Sequence, residues 1–342
     1  MKNQTVKLQK NCVWILLRMY HAQELSQGKL LSDIEFALAS RRISYEDLKS
    51  KLLVFDSTME GPDAREFWLA IESIKNEKWF DRTKCIWLNN VFVQQQSSRT
   101  FSVPFFLIDF AGRIPAEVLN QIKRKYDFVC LLRNHRPSRS LIARRILDNY
   151  DPETYRLSYR TYLLKPEFDE VIGRMAPLHI DWAYHHDEML GIPGDAIMQA
   201  LIHLVAETSI QDDANDQNCW GSKFVTEKTF KAFDYRQMPL WFAVPNFVSH
   251  LRSAGFDLFD DWFDNHSYDD IQDQSQRFAK VFEILDRTLI RVREQGGAEA
   301  VSQQLSQRFD HNIAILNKLS KEKSELLSEF DQRLLTLQKI GC

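Results

Sequence analysis

The sequence predicts an α/β protein of two Rossmann-like domains followed by a helical extension. Three observations point there. Short apolar runs alternate with helical patterns through the first third of the chain, a continuous apolar run at DFVCLLR restarts that alternation, and apolar residues after Gly296-Gly297 recur at mixed three- and four-residue steps. With 342 residues, 44% hydrophobic and 27% charged, the chain is long enough for two cores.

The first domain spans 1–125. NCVWILLRMY reads as its first strand, and the basic start before it is followed by only a short apolar run and no small-residue cleavage site, so no signal peptide is expected. KLLVFDS (Lys51 to Ser57) reads as a strand. AREFWLAIESIKNEKW carries Phe67, Leu69, Ile71 and Ile74 with Trp68 and Trp79 beside them, a spacing that favours a helix. KCIWLNNV and SVPFFLIDF read as two further strands. PAEVLNQIKRKY reads as a helix with Pro115 at its first position and a basic last turn.

The second domain spans 126–285. DFVCLLR has the unbroken apolarity of a strand buried on both faces, and it runs into NHRPSRSLIARRILDNY, where Ser138 can cap a helix. Arg133, Asn134, His135, Arg136, Arg139, Arg144 and Arg145 crowd this corner. With the N–H groups and positive end of a helix beside them they suit an anion, while a solvated basic helix face is the plain alternative. From Tyr150 to Gly194 an aromatic, strand-like stretch gives way to turn-rich sequence. His179, Asp181, His185, His186, Asp187 and Glu188 invite a metal, but their spacing matches no helical ligand pair, and surface or substrate-contacting groups are the simpler reading. LIHLVAET reads as a strand ending in Glu207, Thr208 and Ser209. Asp212, Asp213 and Asp216 follow in a segment rich in Asn, Gln and Gly, which reads as a solvated loop rather than a site for a divalent ion.

The stretch FVTEKTFKAFDYRQMPLWFAVPNFVSHLRSAGFDLFDDWF places a Thr-Glu-Lys turn before a helix, then an apolar strand ending at a proline, then a helix ended by Gly255. Thr226 is a plain N-cap signal, and Lys231 is either a second phosphate ligand or a solvated helix residue. Phe256, Leu258 and Phe259 read as core, and Asp264, Ser267, Tyr268 and Asp269 as caps of the helix that follows. The remaining residues, 286–342, form a long helix or hairpin whose apolar seam either packs back on the first domain or pairs two subunits into a homodimer.

A formal net charge of −3 gives no global basic field, which disfavours non-specific binding to nucleic acid or anionic membrane. The five cysteines form no CxxC pair, and Cys12, Cys85 and Cys130 lie in apolar runs, as reduced core thiols of a cytoplasmic protein do. No run of eighteen apolar residues predicts a transmembrane helix.

LVAETS followed by FVTEKTFKAFDYRQMPL resembles the donor-binding half of the fucosyltransferase-like glycosyltransferases. RNHRPSR, TEKTFK and GFDLFDDWFDNHSYDDI also match, in order, a pattern of phage and bacterial proteins in that clan. The resemblance covers about residues 126 to 285. It implies a GT-B arrangement and transfer of a sugar from a nucleotide-diphosphate sugar, as co-substrate, to a hydroxyl acceptor, with no metal and no other cofactor. Glu227 would accept hydrogen bonds from ribose or sugar hydroxyls and Lys228 would pair with the diphosphate. Phe224 would lie beside the nucleotide in place of the usual tyrosine, and Glu207 and Thr208 would stand at the preceding strand end, with Thr replacing the usual Asn. Asn134, Arg136, Arg139 or Arg144 would come from the arginine-rich corner. Fixed cations suit this chemistry because the leaving nucleoside diphosphate gains negative charge.

An inverting reaction would also need a base, for which Asp56 and Glu60, near a predicted strand end, are the candidates. The acceptor is open among a glycan, a lipid-linked sugar, a protein and a modified DNA base. The alternative is a catalytically silent nucleotide-sugar-binding or assembly protein acting through its C-terminal helices.

Overall fold

Strands in which every residue is apolar need both faces covered, and the first sheet shows how the chain does this. A computed structural model describes residues 6–8, 12–17, 22–57, 64–89, 100–102, 116–132, 137–158, 195–207 and 225–340. The sheet comprises β1 (Val6–Leu8), β2 (Cys12–Leu16), β3 (Leu52–Ser57), β4 (Cys85–Asn89) and β5 (Thr100–Ser102), side by side in that order. β1 runs antiparallel to β2, and the others are parallel, with Cys12 opposite Leu52 and Leu53 opposite Cys85. Between β2 and β3 lie α1 (Ala22–Ser26), α2 (Lys29–Arg41) and α3 (Tyr45–Lys49), and between β3 and β4 lies α4 (Ala64–Ile74).

Side chains alternate across the sheet, so each strand feeds two layers. Val13, Ile15, Leu53, Phe55 and Trp87 pack with Leu30, Ile34 and Leu38 of α2 and with Phe67, Ile71 and Ile74 of α4. Cys12, Leu52, Val54, Ile86 and Leu88 instead meet Phe330 and Leu334. These two belong to the C-terminal half of a 35-residue helix, α12 (Ser306–Ile340). Of the two expectations for the C-terminal seam, Phe330 and Leu334 thus pack back on the first domain.

The second sheet is wholly parallel. It contains β6 (Tyr126–Leu131), β7 (Tyr155–Ser158), β8 (Ala200–Ala206) and β9 (Met238–Phe242), in the order β7-β6-β8-β9. α6 (Pro137–Asn149) leads from β6 to β7 on one side. The chain then passes to the other side of β6, through α7 (Asp195–Met198) to β8 and through α8 (Glu227–Asp234) to β9. The direction of strand addition therefore reverses between β6 and β8, and such reversals open a crevice at the carboxyl ends of the strands. Pro239 lies inside β9, one residue into the strand; among the described strands β9 lies at an edge, where a missing N–H is tolerated. After it come α9 (Phe247–Ser253), α10 (Gln274–Glu294), α11 (Gly297–Gln304) and the first part of α12. Gly255, just past α9, has φ +95, a conformation that favours glycine.

The chain divides into two units. One holds Met1–Ile108, Asp213–Phe224 and Lys321–Cys342, and the other holds Asp109–Asp212 and Val225–Ser320. The division falls after Ile108, where the sequence placed it after Lys125, and residues 286–342 are shared between the units.

The basic run KRKY also behaves differently from its reading as a helical last turn. α5 (Ala116–Gln121) ends before it, and Arg124 is buried. Its guanidinium donates to the carbonyls of Met198, Ala200 (3.1 Å), Tyr235 (2.8 Å) and Arg236 (2.6 Å), while its backbone N–H donates to Glu299 (2.6 Å). Burial lowers the guanidinium to about 10, against the pull of Glu299, so it stays charged at neutral pH. Near it His203, buried in β8, binds Gln237 Oε1 through Nδ1 at 2.8 Å, and Gln237 donates to Ile197 (2.8 Å) and Ala200 (3.1 Å) carbonyls.

Two outcomes are expected. Phe330→Ala, which removes a ring packed edge-on to Trp14 at 6.1 Å, should cost about 3–5 kcal/mol in urea unfolding. Burial depresses His203 to about 4, below its unfolded value, so protons bind the unfolded chain preferentially and stability should fall as pH drops from about 6.5 towards 4. His203→Asn, whose amide can replace the Nδ1–H donor, should flatten that fall in urea midpoints measured across the same range.

Candidate functional site

The sequence-predicted residues Glu207, Thr226, Glu227 and Lys228 meet at the carboxyl end of β8, beside the reversal in strand order. Glu207 is the first residue beyond β8, and its N–H still extends the ladder to Phe242 O at 3.0 Å. Its carboxylate is buried. Oε1 accepts from the Thr226 N–H (3.3 Å) and from the Thr229 hydroxyl (2.6 Å), and Oε2 accepts from the Thr226 hydroxyl (2.5 Å). An ionised carboxylate can only accept, so both threonine hydroxyl protons point at it. The lone pairs of those hydroxyls then receive other donors: Trp241 Nε1–H reaches Thr229 Oγ1 at 3.1 Å, and the Lys228 N–H and Nζ each reach Thr226 Oγ1 at 3.3 Å.

Thr226 is the N-cap of α8, as its sequence predicts, in an extended conformation with its side chain accepting from the Lys228 N–H. Threonines at 226 and 229 stand one turn apart, so both hydroxyls face the end of β8. That i, i+3 pair is a signal the sequence carries for the network, but its partners Glu207 and Trp241 are fixed only by the register of β8 and β9. Thr229, Trp241 and Gln237 were not among the residues singled out.

Glu227 and Lys228 are partly exposed, with side-chain accessibilities of 17% and 19%, and Lys228 Nζ lies 3.3 Å from Glu227 Oε1. Burial opposes the charged form of Glu227, but the ammonium groups of Lys228 and Lys231 and local hydrogen bonds outweigh it and hold the carboxyl below its ordinary value. Lys231 is buried rather than solvated, and its charge also contributes to the depression of His203.

The arginine-rich corner gives a mixed outcome. Arg139 is buried at the start of α6 and donates through Nη1 to Leu132 O at the carboxyl end of β6 (3.0 Å), on the other side of the reversal from Glu207. Arg144 is exposed and lies 3.6 Å from Asp148 one turn on, a solvated helix pair. Asp56 accepts from Trp14 Nε1–H at 3.0 Å, on the face of the first sheet that bears Leu52 and Val54. Glu60, Asn134, Arg136, Thr208 and Phe224 lie outside the described residues, as do the His179–Glu188 and Asp212–Asp216 segments.

The SYDD block caps a different helix from the one expected. Asp269 accepts the N–H groups of Val248 and Ser249, both at 2.7 Å, and so closes the start of α9, which precedes it. Asp273 caps α10 through the Gln276 N–H (2.8 Å). Tyr268 is buried, with its hydroxyl donating to Asn265 Oδ1 at 3.0 Å. Among the described residues, no group of three or more His, Cys, Asp or Glu side chains is placed to hold a metal ion, and no helix is long and apolar enough to cross a membrane.

Thr229→Val removes the hydroxyl that joins Trp241 to Glu207 and should cost about 1–3 kcal/mol by leaving buried polar atoms short of a partner. Thr229→Ser should restore most of it, as read from urea midpoints. Beyond this geometry, neither a protein-family model nor a curated protein matches the chain.

Proposed function

We propose that this chain is a nucleotide-sugar-dependent glycosyltransferase of the GT-B class, in which Lys228 meets the donor diphosphate and Glu227 meets hydroxyls of the ribose or sugar. The observation that carries the proposal is the position of the Thr226–Glu227–Lys228 turn, held at the carboxyl end of β8 next to the reversal in strand order. The order of the three sequence blocks supports the same reading.

The chemistry follows from charge. As the glycosidic bond breaks, electrons move onto the diphosphate, and a fixed ammonium at hydrogen-bonding distance stabilises that product-like state more than the ground state. In this reading side-chain cations take the part that a divalent ion plays in other transferases. The acceptor's base stays unassigned: Asp56 accepts a hydrogen bond from Trp14, though a carboxylate has acceptor sites for more than one, and Glu60 lies outside the described residues.

One second reading stands beside this: a protein that binds a nucleotide sugar without turning it over. The C-terminal seam adds little to it, since Phe330 and Leu334 are already buried against the first sheet. Consumption of the donor separates the two readings.

Thermal shift against GDP, UDP, CDP and their sugars tests the shared premise. A ligand at 100 times its Kd should add about 2.7 kcal/mol to stability, and Lys228→Ala should abolish the shift while leaving the ligand-free melting temperature near wild type. If no nucleoside diphosphate stabilises the protein, the proposal is wrong.

A further inference from the structure

The buried carboxylate behind the Thr-Glu-Lys turn has a role that the resemblance did not give it. We propose that Glu207 is a positioning residue for the Lys228 ammonium, acting through the Thr226 hydroxyl. The same arrangement assigns recognition of a diphosphate to that ammonium rather than to the Thr226 and Lys228 amides. This rests on the function proposed above.

The hydrogen-bond order dictates the link. Thr226 has one hydroxyl proton, and Glu207 Oε2 takes it at 2.5 Å. The threonine oxygen is thereby turned so that its lone pairs face the Lys228 N–H and Nζ, each 3.3 Å away. A group that reorients the hydroxyl therefore reorients an acceptor of the ammonium. Glu227 Oε1, at 3.3 Å, contributes a charged acceptor to the same ammonium and is the one that a phosphate oxygen would displace.

Two amides of the turn are already committed. The Thr226 N–H is directed at Glu207 Oε1 (3.3 Å) and the Lys228 N–H at Thr226 Oγ1. The negative charge favoured at a helix N-terminus is thus supplied by the protein itself. A second anion gains there chiefly what the lysine side chain offers.

Calorimetric titration of the full chain with GDP, UDP and inorganic pyrophosphate, well below the melting temperature, tests this. Glu207→Gln sets an amide N–H₂ against the threonine hydroxyl, forcing its proton towards Lys228. This variant and Thr226→Val should weaken diphosphate binding about tenfold, while Thr226→Ser should bind as wild type. Thr229→Val loosens the other side of Glu207 without touching the Thr226–Lys228 link, so it should lose stability yet keep its affinity. If Glu207→Gln folds poorly, the Thr226 pair carries the test alone. Wild-type affinity in both Glu207→Gln and Thr226→Val, or equal weakening in Thr229→Val, overturns the positioning role while leaving the proposed function standing. Failure of the wild-type protein to bind any of the three probes overturns the positioning role, and the proposed function falls with it when CDP and the nucleotide sugars fail as well.

Discussion

The second sheet depends on how one short helix is held at its two ends. α8 has only eight residues, too few to be stable alone, so its position is set by tertiary contacts. At its N-terminus the buried Glu207 carboxylate gathers Thr226 and Thr229. Just past its C-terminus the buried Arg124 guanidinium binds the carbonyls of Tyr235 and Arg236. A negative charge at the amino end and a positive one at the carboxyl end both oppose the helix dipole favourably. Each charge would be costly to bury without partners; Glu207 is satisfied by the two threonine hydroxyls and the N-cap N–H, and Arg124 by carbonyls just past the last turn.

This clamp links scaffold to site. Arg124 also binds the carbonyls of Met198 and Ala200, so the start of β8 and the end of α8 share one guanidinium. Glu207 closes the other end of the same strand onto the start of the same helix. The strand and helix that flank the turn are therefore fixed to each other at both ends, and Glu227 and Lys228 inherit their placement from contacts made by residues that need touch no ligand. Loosening either end should be felt at the turn.

Much of the fold was legible because strands buried on both faces advertise themselves. The runs that became β2, β3, β4, β6 and β8 read as strands from apolarity alone, and AREFWLAIESI read as a helix from its spacing. α1 to α3 escaped notice, although Leu30, Ile34 and Leu38 recur every four residues along α2 and enter the core. Arg124 was misread for a physical reason: a cation after a helical pattern suggests that helix's own dipole, whereas this one serves the far end of α8, more than a hundred residues away. At the site, the Thr-Glu-Lys turn was visible from capping chemistry. The tie to Glu207 and Trp241 was not, since it depends on Ala206 lying opposite Phe242 in the finished sheet.

The distribution of internal carboxylates bears on how an anion could be recognised. α8 and α9 both start at the carboxyl end of the second sheet, the place where backbone amides can bind a phosphate. Glu207 takes the N–H of Thr226, the N-cap of the first, and Asp269 takes the Val248 and Ser249 N–H groups of the second. Arg139, across the reversal in strand order, spends Nη1 on the Leu132 carbonyl. Under the proposed function, recognition would turn on side-chain charge, and above all on a lysine whose ammonium is steered by a carboxylate it does not touch. A site of that kind depends on geometry set behind it: replacing Lys228 by arginine would keep the charge but move it beyond the hydroxyl that aims it.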